Sequence, residues 1–258
     1  MPRFAANLST LYPELELLER IGAAARDGFA AVEVQAPYAV DAAAFRCALR
    51  EARVQLVLLN APAGDFSGGE RGLAALPGHE PEFDASIERA LDYARTAGAP
   101  RVHVMAGTPS EGGAVDALAA YERNIGRACE IFGRHGIEVL IEPINRRDMP
   151  GYFLASLSLA LEVIDRLQRR PRLQFDCYHL QIIQGDLIRT LERCCDRIGH
   201  VQIAGAPDRH EPDAGEVDYR GVFRTLDRLY RGWVGCEYRP ARSGPGGTSA
   251  GLGWMRRL

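Results

Sequence analysis

Short apolar runs alternate with helix-period stretches along the whole chain, and this alternation restricts the choice of fold more than any other feature. The eight candidate strands are residues 3–7, 31–35, 54–60, 101–106, 138–142, 172–176, 199–203 and 232–237. Strands that alternate with helices form parallel sheets, and eight such units close most naturally into a (β/α)8 barrel. An open doubly wound sheet is the alternative. A nucleotide-binding sheet of that kind needs a glycine-rich loop after its first strand, and residues 7–10 (Asn-Leu-Ser-Thr) do not form one.

The ends of several predicted helices are marked by capping residues. Asp218 precedes an amphipathic stretch and is a candidate N-cap. Gly28, Gly136 and Gly232 each stand between a helix and the next strand. Because glycine adopts the left-handed conformation without a Cβ clash, the sequence predicts that each of these helices stops at its glycine.

No linker or change of composition divides the chain, so we expect a single domain over residues 1–258. Two segments are irregular: a Gly- and Pro-rich loop at residues 61–81, and a tail at residues 239–253 that leads into residues 254–258. Loops of this length are uncommon unless they are functional, and loops that follow strands line the mouth of a barrel. We therefore predict that residues 61–81 form a lid, with a floppy surface loop as the alternative.

Composition excludes several classes of function. The net charge of −3 lacks the basic excess of a nucleic-acid-binding protein. No apolar run approaches the roughly 18 residues of a membrane span, and the N-terminus lacks a secretory apolar region. The six cysteines show no C-x-x-C spacing, which favours reduced thiols. The sequence thus predicts a cytoplasmic protein with neither nucleic-acid nor membrane partners, and it leaves a homo-oligomer open.

Four polar residues lie at or beside the C-terminal ends of four consecutive predicted strands, namely Glu142, Asp176, Gln202 and Glu237. Each follows an apolar run, where an unpaired carboxylate is costly to bury. Taken singly, each carboxylate is equally typical of a helix N-cap or a salt-bridge partner. The series of four favours a shared site, and three carboxylates with one amide oxygen suit one Mg²⁺ or Mn²⁺ ion better than zinc.

Other candidate residues lie near the same strand ends. His179, three residues beyond the strand-six aspartate, is predicted to hold a substrate oxygen, although a surface histidine is the alternative. His103 and His200 lie inside strands and are more typical of barrel-interior histidines, but His103 is retained as a candidate substrate-binding residue. Arg209 and Arg71 each offer a planar guanidinium that suits a substrate carboxylate, with plain surface charge as the alternative.

Several strings in the chain resemble the hydroxypyruvate isomerase family, within the wider group of xylose-isomerase-like barrels. They are E-P-I-N-R-R-D-M-P-G-Y-F-L, F-D-C-Y-H-L-Q, H-V-Q-I-A-G-A-P-D-R-H-E-P, G-C-E-Y-R-P and the loop string G-D-F-S-G-G-E-R-G-L-A-A-L-P-G-H-E-P-E-F. The resemblance covers nearly the whole chain. It implies metal ligands at Glu142, Asp176, Gln202 and Glu237, with Glu142 and Glu237 as the catalytic pair. Related sugar epimerases carry histidine at the position of Gln202, which favours the isomerase branch.

The resemblance implies a metal-dependent isomerase that interconverts hydroxypyruvate and tartronate semialdehyde through an enediolate. One glutamate would remove a carbon-bound proton and the other would return one, while the metal acts as a Lewis acid. The 31 residues counted as lysine or arginine are all arginine, so no lysine is present to assist a hydride shift, and proton transfer is favoured. The string around Asn145 and Asp148 also resembles 2-oxo-tetronate isomerases. That activity, or a related ketose or sugar epimerase, is the alternative; a non-catalytic acid-binding protein and a metal-dependent endonuclease represent other classes.

Overall fold

The computed structural model describes residues 1–110, 114–168 and 170–257, so Leu258, which ends the predicted tail, lies outside the described residues. Its strands form a closed parallel barrel in which each strand pairs with the next and the last pairs with the first. This arrangement confirms the predicted (β/α)8 barrel and excludes the open sheet. The strands are β1 (Arg3–Asn7), β2 (Ala31–Val34), β3 (Gln55–Asn60), β4 (Arg101–His103), β5 (Glu138–Ile141), β6 (Arg172–Asp176), β7 (Ile198–Ile203) and β8 (Trp233–Cys236).

Helices cover the outside of the barrel and pack against it through their apolar faces. Those of the described residues are α1 (Leu17–Arg26), α2 (Ala42–Ala52), α3 (Glu80–Ala97), α4 (Ala114–Gly133), α5 (Leu157–Arg166), α6 (Cys177–Ile183), α7 (Leu187–Cys194), α8 (Tyr219–Leu229), α9 (Gly247–Gly251) and α10 (Trp254–Arg257). None of them is long and apolar enough to cross a membrane. The six cysteines are all unpaired, as the sequence predicts.

Most of the predicted helix ends are correct. Asp218 caps α8 by accepting a hydrogen bond from the backbone N–H of Arg220. Gly28 and Gly136 are left-handed, with φ of 94° and 69°. The prediction for Gly232 is wrong, because its backbone is not left-handed and α8 ends at Leu229, followed by Tyr230 in an extended conformation. A Cβ at position 232 would lie 2.2 Å from the Tyr230 hydroxyl, so the Tyr230 ring would have to move to admit a side chain.

The predicted lid has an exposed first half and a packed second half. Phe66 is 55% exposed, whereas Leu73 and Ala74 are buried. The Asn124 side chain donates to the Ala74 carbonyl at 2.9 Å, and residues 72 and 106 form an isolated antiparallel bridge. Beyond His103 the chain makes one more hydrogen bond to β5, from the Val104 N–H to the Leu140 carbonyl at 3.0 Å, and then forms this bridge, so β4 is shorter than predicted. The loop ends where α3 begins, two residues earlier than predicted.

The C-terminal tail is more regular than its composition suggests. It contains α9, and it ends in α10, whose Trp254 is fully buried. The Trp254 ring lies 5.0 Å from Phe4 and 6.1 Å from Phe223, and its indole N–H donates to the Tyr238 hydroxyl at 3.1 Å. The tail therefore packs against both β1 and α8.

Candidate active site

The carboxyl ends of the strands surround a cavity of about 690 Å³, and its walls contain most of the predicted site residues. These are Arg71, His103, Glu142, His179, Arg209 and Glu237. The remaining two, Asp176 and Gln202, are buried directly behind that lining. The barrel thus brings all eight together, since parallel strands present their carboxyl ends at one mouth.

Glu142, Asp176 and His179 form a compact buried cluster in which one polar atom of each lies within 4.8 Å of the others. Asp176 is the last residue of β6, and its Oδ1 caps α6 by accepting the backbone N–H groups of Tyr178 at 2.7 Å and His179 at 3.4 Å. Its Oδ2 and the Oε1 of Glu142 have no hydrogen-bond donor among the described residues. Two buried carboxylate oxygens without donors suit a cation, because unpaired buried charge is otherwise costly.

Two glutamine side chains connect this cluster to Glu237. Gln174 donates from Nε2 to Glu142 Oε2 at 2.9 Å and to Gln202 Oε1 at 2.6 Å. Gln202 in turn donates from Nε2 to Glu237 Oε2 at 2.5 Å. A continuous hydrogen-bonded chain therefore runs from the end of β5 to the end of β8.

The electrostatics of the three carboxyl groups also suit a cation. Burial raises the pKa of Glu142 well above its usual range, and the charges of Asp176 and Glu237 raise it further. Burial raises the pKa of Glu237 to about 8, although Arg209 opposes the shift. The pKa of Asp176 is raised by burial and opposed by Arg209 in the same way. A bound cation favours the charged forms of such groups, and an oxygen donor set is the one that Mg²⁺ and Mn²⁺ prefer.

The protonation of His179 follows from its neighbours. Burial lowers the pKa of His179 well below its usual range, so the ring is neutral. Asn145 places its side-chain Nδ2 2.6 Å and its backbone N 3.4 Å from His179 Nδ1, which makes Nδ1 an acceptor. The proton is therefore on Nε2, 4.0 Å from Glu142 Oε1 and 3.8 Å from Asp176 Oδ2. A protonated ring nitrogen has no lone pair for a metal, so His179 acts as a hydrogen-bond donor in the cavity.

Arg209 brings positive charge to this group of acids. Its Nη2 pairs with Glu237 Oε1 and lies 3.5 Å from Asp176 Oδ2, while Nη1 lies 3.7 Å from Asp148 Oδ2. The guanidinium also stacks over the Tyr178 ring, with 4.9 Å to its centroid. Arg209 therefore lines the cavity in an orientation fixed by three carboxylates and one aromatic ring.

Arg71 and His103 also line this cavity. Arg71 belongs to the lid, stacks on the Phe66 ring at 4.0 Å and donates to the carbonyls of Phe66 and Glu70. His103 lies 3.7 Å from Glu142 Oε2, and neither of its ring nitrogens has a hydrogen-bond partner among the described residues. Burial lowers the pKa of His103 to about 3, so this ring is also neutral.

Four polar residues of the site were missed in the sequence, namely Asn7, Glu33, Gln35 and Gln174. Gln35 donates to Glu237 Oε1 at 2.9 Å, and Asn7 donates to Glu237 Oε2 at 3.3 Å. The barrel-interior interpretation of His200 is correct, since its Nε2 lies 2.6 Å from Glu33 Oε2. A signal was present, because Glu33 and Gln174 each lie between two apolar residues of a strand, where a buried polar side chain needs a hydrogen-bond partner.

Comparisons with known proteins agree with this architecture. A model of the xylose isomerase-like TIM barrel family matches residues 21–258. The chain is 49% identical to the 2-oxo-tetronate isomerase of Cupriavidus necator over 99% of this chain and 98% of that protein. It is 39% identical to the hydroxypyruvate isomerase of Escherichia coli, over the same shares of the two chains.

Solved structures share the fold over its full length. A Brucella melitensis protein described as an AP endonuclease, family 2, is 42% identical and superposes with a TM-score of 0.95, covering 100% of this chain and 99% of that one. A 3-keto-D-glucoside 4-epimerase from E. coli, 21% identical with a TM-score of 0.83 over the whole of both chains, shares the fold alone. From the family match and these full-length relatives, the chain belongs to the xylose isomerase-like TIM barrel family, among relatives named hydroxypyruvate isomerase and 2-oxo-tetronate isomerase, and is an isomerase.

Proposed function

We propose that this isomerase interconverts hydroxypyruvate and tartronate semialdehyde with the help of one divalent cation, Mg²⁺ or Mn²⁺. The observation that carries the proposal is the pair Glu142 and Glu237, which follow β5 and β8, line one cavity and are linked through Gln174 and Gln202. Two carboxyl groups that line one cavity from different strands can act as base and acid on neighbouring carbons of one substrate.

Glu142, Asp176, Gln202 and Glu237 would hold the cation. The donor-free oxygens of Glu142 and Asp176 support this assignment, as do the raised pKa values of the three carboxyl groups. When bound, the cation would stabilise negative charge on the neighbouring carbonyl and hydroxyl oxygens of the substrate.

The protein's own residues account for the proton movements. One glutamate removes a proton from C3 of hydroxypyruvate, the other delivers a proton to C2, and the C3 hydroxyl proton passes to the former carbonyl oxygen. A positioned acid and base contribute a rate factor of about 10² to 10⁴. His179 donates a hydrogen bond from Nε2–H to a substrate oxygen. Because the chain has no lysine, these carboxyl groups are the natural proton carriers in the cavity.

Two arginines would orient the substrate by binding its carboxylate. Arg209 lies at the inner wall beside Glu237, and Arg71 lies on the lid. A guanidinium pairs with a carboxylate through two parallel hydrogen bonds, which fixes the orientation of the substrate as well as its position. The lid arginine would add its contact when the exposed tip of the loop moves toward the cavity.

A second candidate substrate is 2-oxo-tetronate, which has one more carbon. The 49% identity with the C. necator enzyme favours it, and a cavity of about 690 Å³ is within the range that holds much larger ligands. The chemistry at the reacting carbons would be the same for both acids.

A direct assay tests the proposal. Purified protein would be incubated with each acid and with common ketoses, in Mg²⁺ or Mn²⁺, and the products would be identified by NMR. We expect turnover of hydroxypyruvate or 2-oxo-tetronate. Binding without turnover would indicate an acid-binding protein, whereas cleavage of DNA would favour the endonuclease activity for which the B. melitensis protein is named.

A further inference from the structure

The carboxylate of Glu33 lies in the barrel interior, next to the proposed metal ligands, and the mechanism above gives it no role. Glu33 belongs to β2 and is fully buried. Its Oε1 accepts hydrogen bonds from Asn7 Nδ2 at 2.8 Å and Gln202 Nε2 at 2.7 Å, and its Oε2 lies 2.6 Å from His200 Nε2. Three N–H groups from β1 and β7 thus converge on one carboxylate.

The barrel leaves space for this side chain at Gly235 of β8, the residue that pairs in register with Gln202. A Cβ at Gly235 would lie 2.2 Å from Glu33 Oε2 and 2.4 Å from Oε1, much closer than real Cβ contacts. The carboxylate of Glu33 therefore occupies the volume that a side chain on β8 would fill. This is how a residue of β2 reaches across the interior to β7.

The contact with Glu33 determines which way the amide of Gln202 faces. A glutamine side chain has one oxygen and one NH2 group, and only the oxygen can bind a cation. The nitrogen of Gln202 lies between Glu33 Oε1 and Glu237 Oε2, and both are acceptors that would repel an amide oxygen. The oxygen consequently faces Gln174 and, beyond it, Glu142. Glu237 is itself proposed to bind the cation and exchange protons. Glu33 is therefore the residue that can accept the hydrogen bond from the Gln202 NH2 group throughout the reaction.

We propose that Glu33 is a positioning residue that, by accepting a hydrogen bond from the Gln202 NH2 group, holds the amide with its oxygen toward the cation site. The inference rests on the proposed function for the cation. The orientation itself, however, is a property of the metal-free protein and can be measured there.

The test compares Glu33→Gln with a matched control, Glu211→Gln. Glutamine at position 33 keeps the shape of the side chain but adds a donor, so it no longer requires the NH2 group of residue 202 to face it. Glu211 is also buried, but its oxygens accept the backbone N–H of Ala241, outside the cavity. In metal-stripped protein, side-chain NH2 signals would be recorded by NMR, with those of Gln202 assigned by their loss in Gln202→Glu. We expect their solvent exchange to be about tenfold faster in Glu33→Gln, equivalent to one lost hydrogen bond, and unchanged in Glu211→Gln.

Calorimetric titration of the same stripped proteins with Mn²⁺ provides the second measurement. Loss of a residue that orients a ligand weakens metal binding about 10- to 100-fold, which is the effect expected for Glu33→Gln. The double variant Glu33→Gln with Gln202→Glu should recover most of that loss, because the two oxygens of a carboxylate are equivalent and need no orientation.

The inference is overturned if Glu33→Gln leaves both the Gln202 exchange and the Mn²⁺ affinity unchanged. It is also overturned if melting temperature and affinity fall together and the double variant recovers neither, since Glu33 would then be merely structural. If Glu33→Gln shows the faster exchange but the wild-type protein binds no Mn²⁺, the proposed cation is overturned and the orientation is supported.

Discussion

The side-chain amide of Asn145 lies 2.6 Å from Nδ1 of His179 and thereby determines which ring nitrogen carries the proton. The amide is itself oriented, because its oxygen accepts the backbone N–H of Asp148 at 2.9 Å and its NH2 group must face the ring. The Nε2–H of His179 thus faces Glu142 and Asp176 without a hydrogen bond to either, although the ring lies close enough to both to resemble a metal ligand.

Replacement of Asn145 by Asp should reverse this arrangement. A carboxylate at position 145 would accept a hydrogen bond from Nδ1–H and so favour the tautomer that carries its proton on Nδ1. Nε2 would then lose its hydrogen, and His179 would no longer donate to the substrate. We expect kcat to fall about 10- to 100-fold, the effect of one hydrogen bond to a charged group. The tautomer can be followed by 15N NMR of the ring. An unchanged tautomer, or an unchanged kcat with a changed tautomer, would contradict the proposed role.

Removal of the cation should abolish turnover. Exhaustive chelation is expected to stop the reaction and Mg²⁺ or Mn²⁺ to restore it, because the buried Glu142 Oε1 and Asp176 Oδ2 have no hydrogen-bond donor among the described residues and are free to bind a cation. Steady-state assays before and after dialysis measure this. Full activity in protein shown to be metal-free would refute the proposed cofactor.

The Glu237→Gln variant tests the two-glutamate scheme. It should retain a native circular dichroism spectrum and lose turnover, because an amide can neither accept nor deliver the transferred proton. In D₂O, the wild-type reaction should place solvent deuterium on the product carbon. Near-native turnover by a metal-bound Glu237→Gln protein would exclude the scheme, and product without deuterium in the wild type would favour a hydride shift.

The two cavity arginines should differ in their contributions. Arg209 contacts Glu237 as well as the cavity, so Arg209→Ala is expected to raise KM and lower kcat, with a total cost of about 2–5 kcal/mol in kcat/KM. Arg71 lies on the lid, and Arg71→Ala should raise KM alone. Mn²⁺ affinity serves as the control for both. If KM is unchanged in both variants, neither arginine binds the substrate carboxylate.

The stability of the metal-free protein should depend on pH in a defined direction. The folded pKa of Glu237 is about 8, above its unfolded value of about 4.5, so folding favours the protonated form. The resulting stabilisation is fully present below about pH 4.5 and is lost as pH rises through 8. Melting temperature should fall across this window, and Glu142 and Asp176 act in the same direction. Glu237→Gln should flatten the profile; an equally steep decline in that variant would assign the effect to other groups.

The sequence predicts the barrel well because its main signals are local. Apolar runs identify β1 to β8 to within a few residues, and the polar residues at the ends of four strands identify the cavity that we propose as the active site. The sequence does not show which side chains from distant parts of the chain will become hydrogen-bond partners. Gln174 and Asn145 matter through contacts with Gln202 and His179, and those contacts exist only once the strands have closed. The conformation of Gly232 was missed for the same reason, since the ring of Tyr230 folds back over it only in three dimensions.

The space shared by Glu33 and Gly235 has an evolutionary consequence. The carboxylate occupies the volume of a Cβ on β8, so a side chain at position 235 would displace the Glu33 carboxylate from its hydrogen-bond partners. Along a lineage we therefore expect the two positions to change together, or residue 33 to become shorter first. An alignment of relatives should therefore lack sequences with both glutamate at the first position and alanine or serine at the second. The absence of that combination would support the close contact between Glu33 and residue 235 without any measurement on the protein itself.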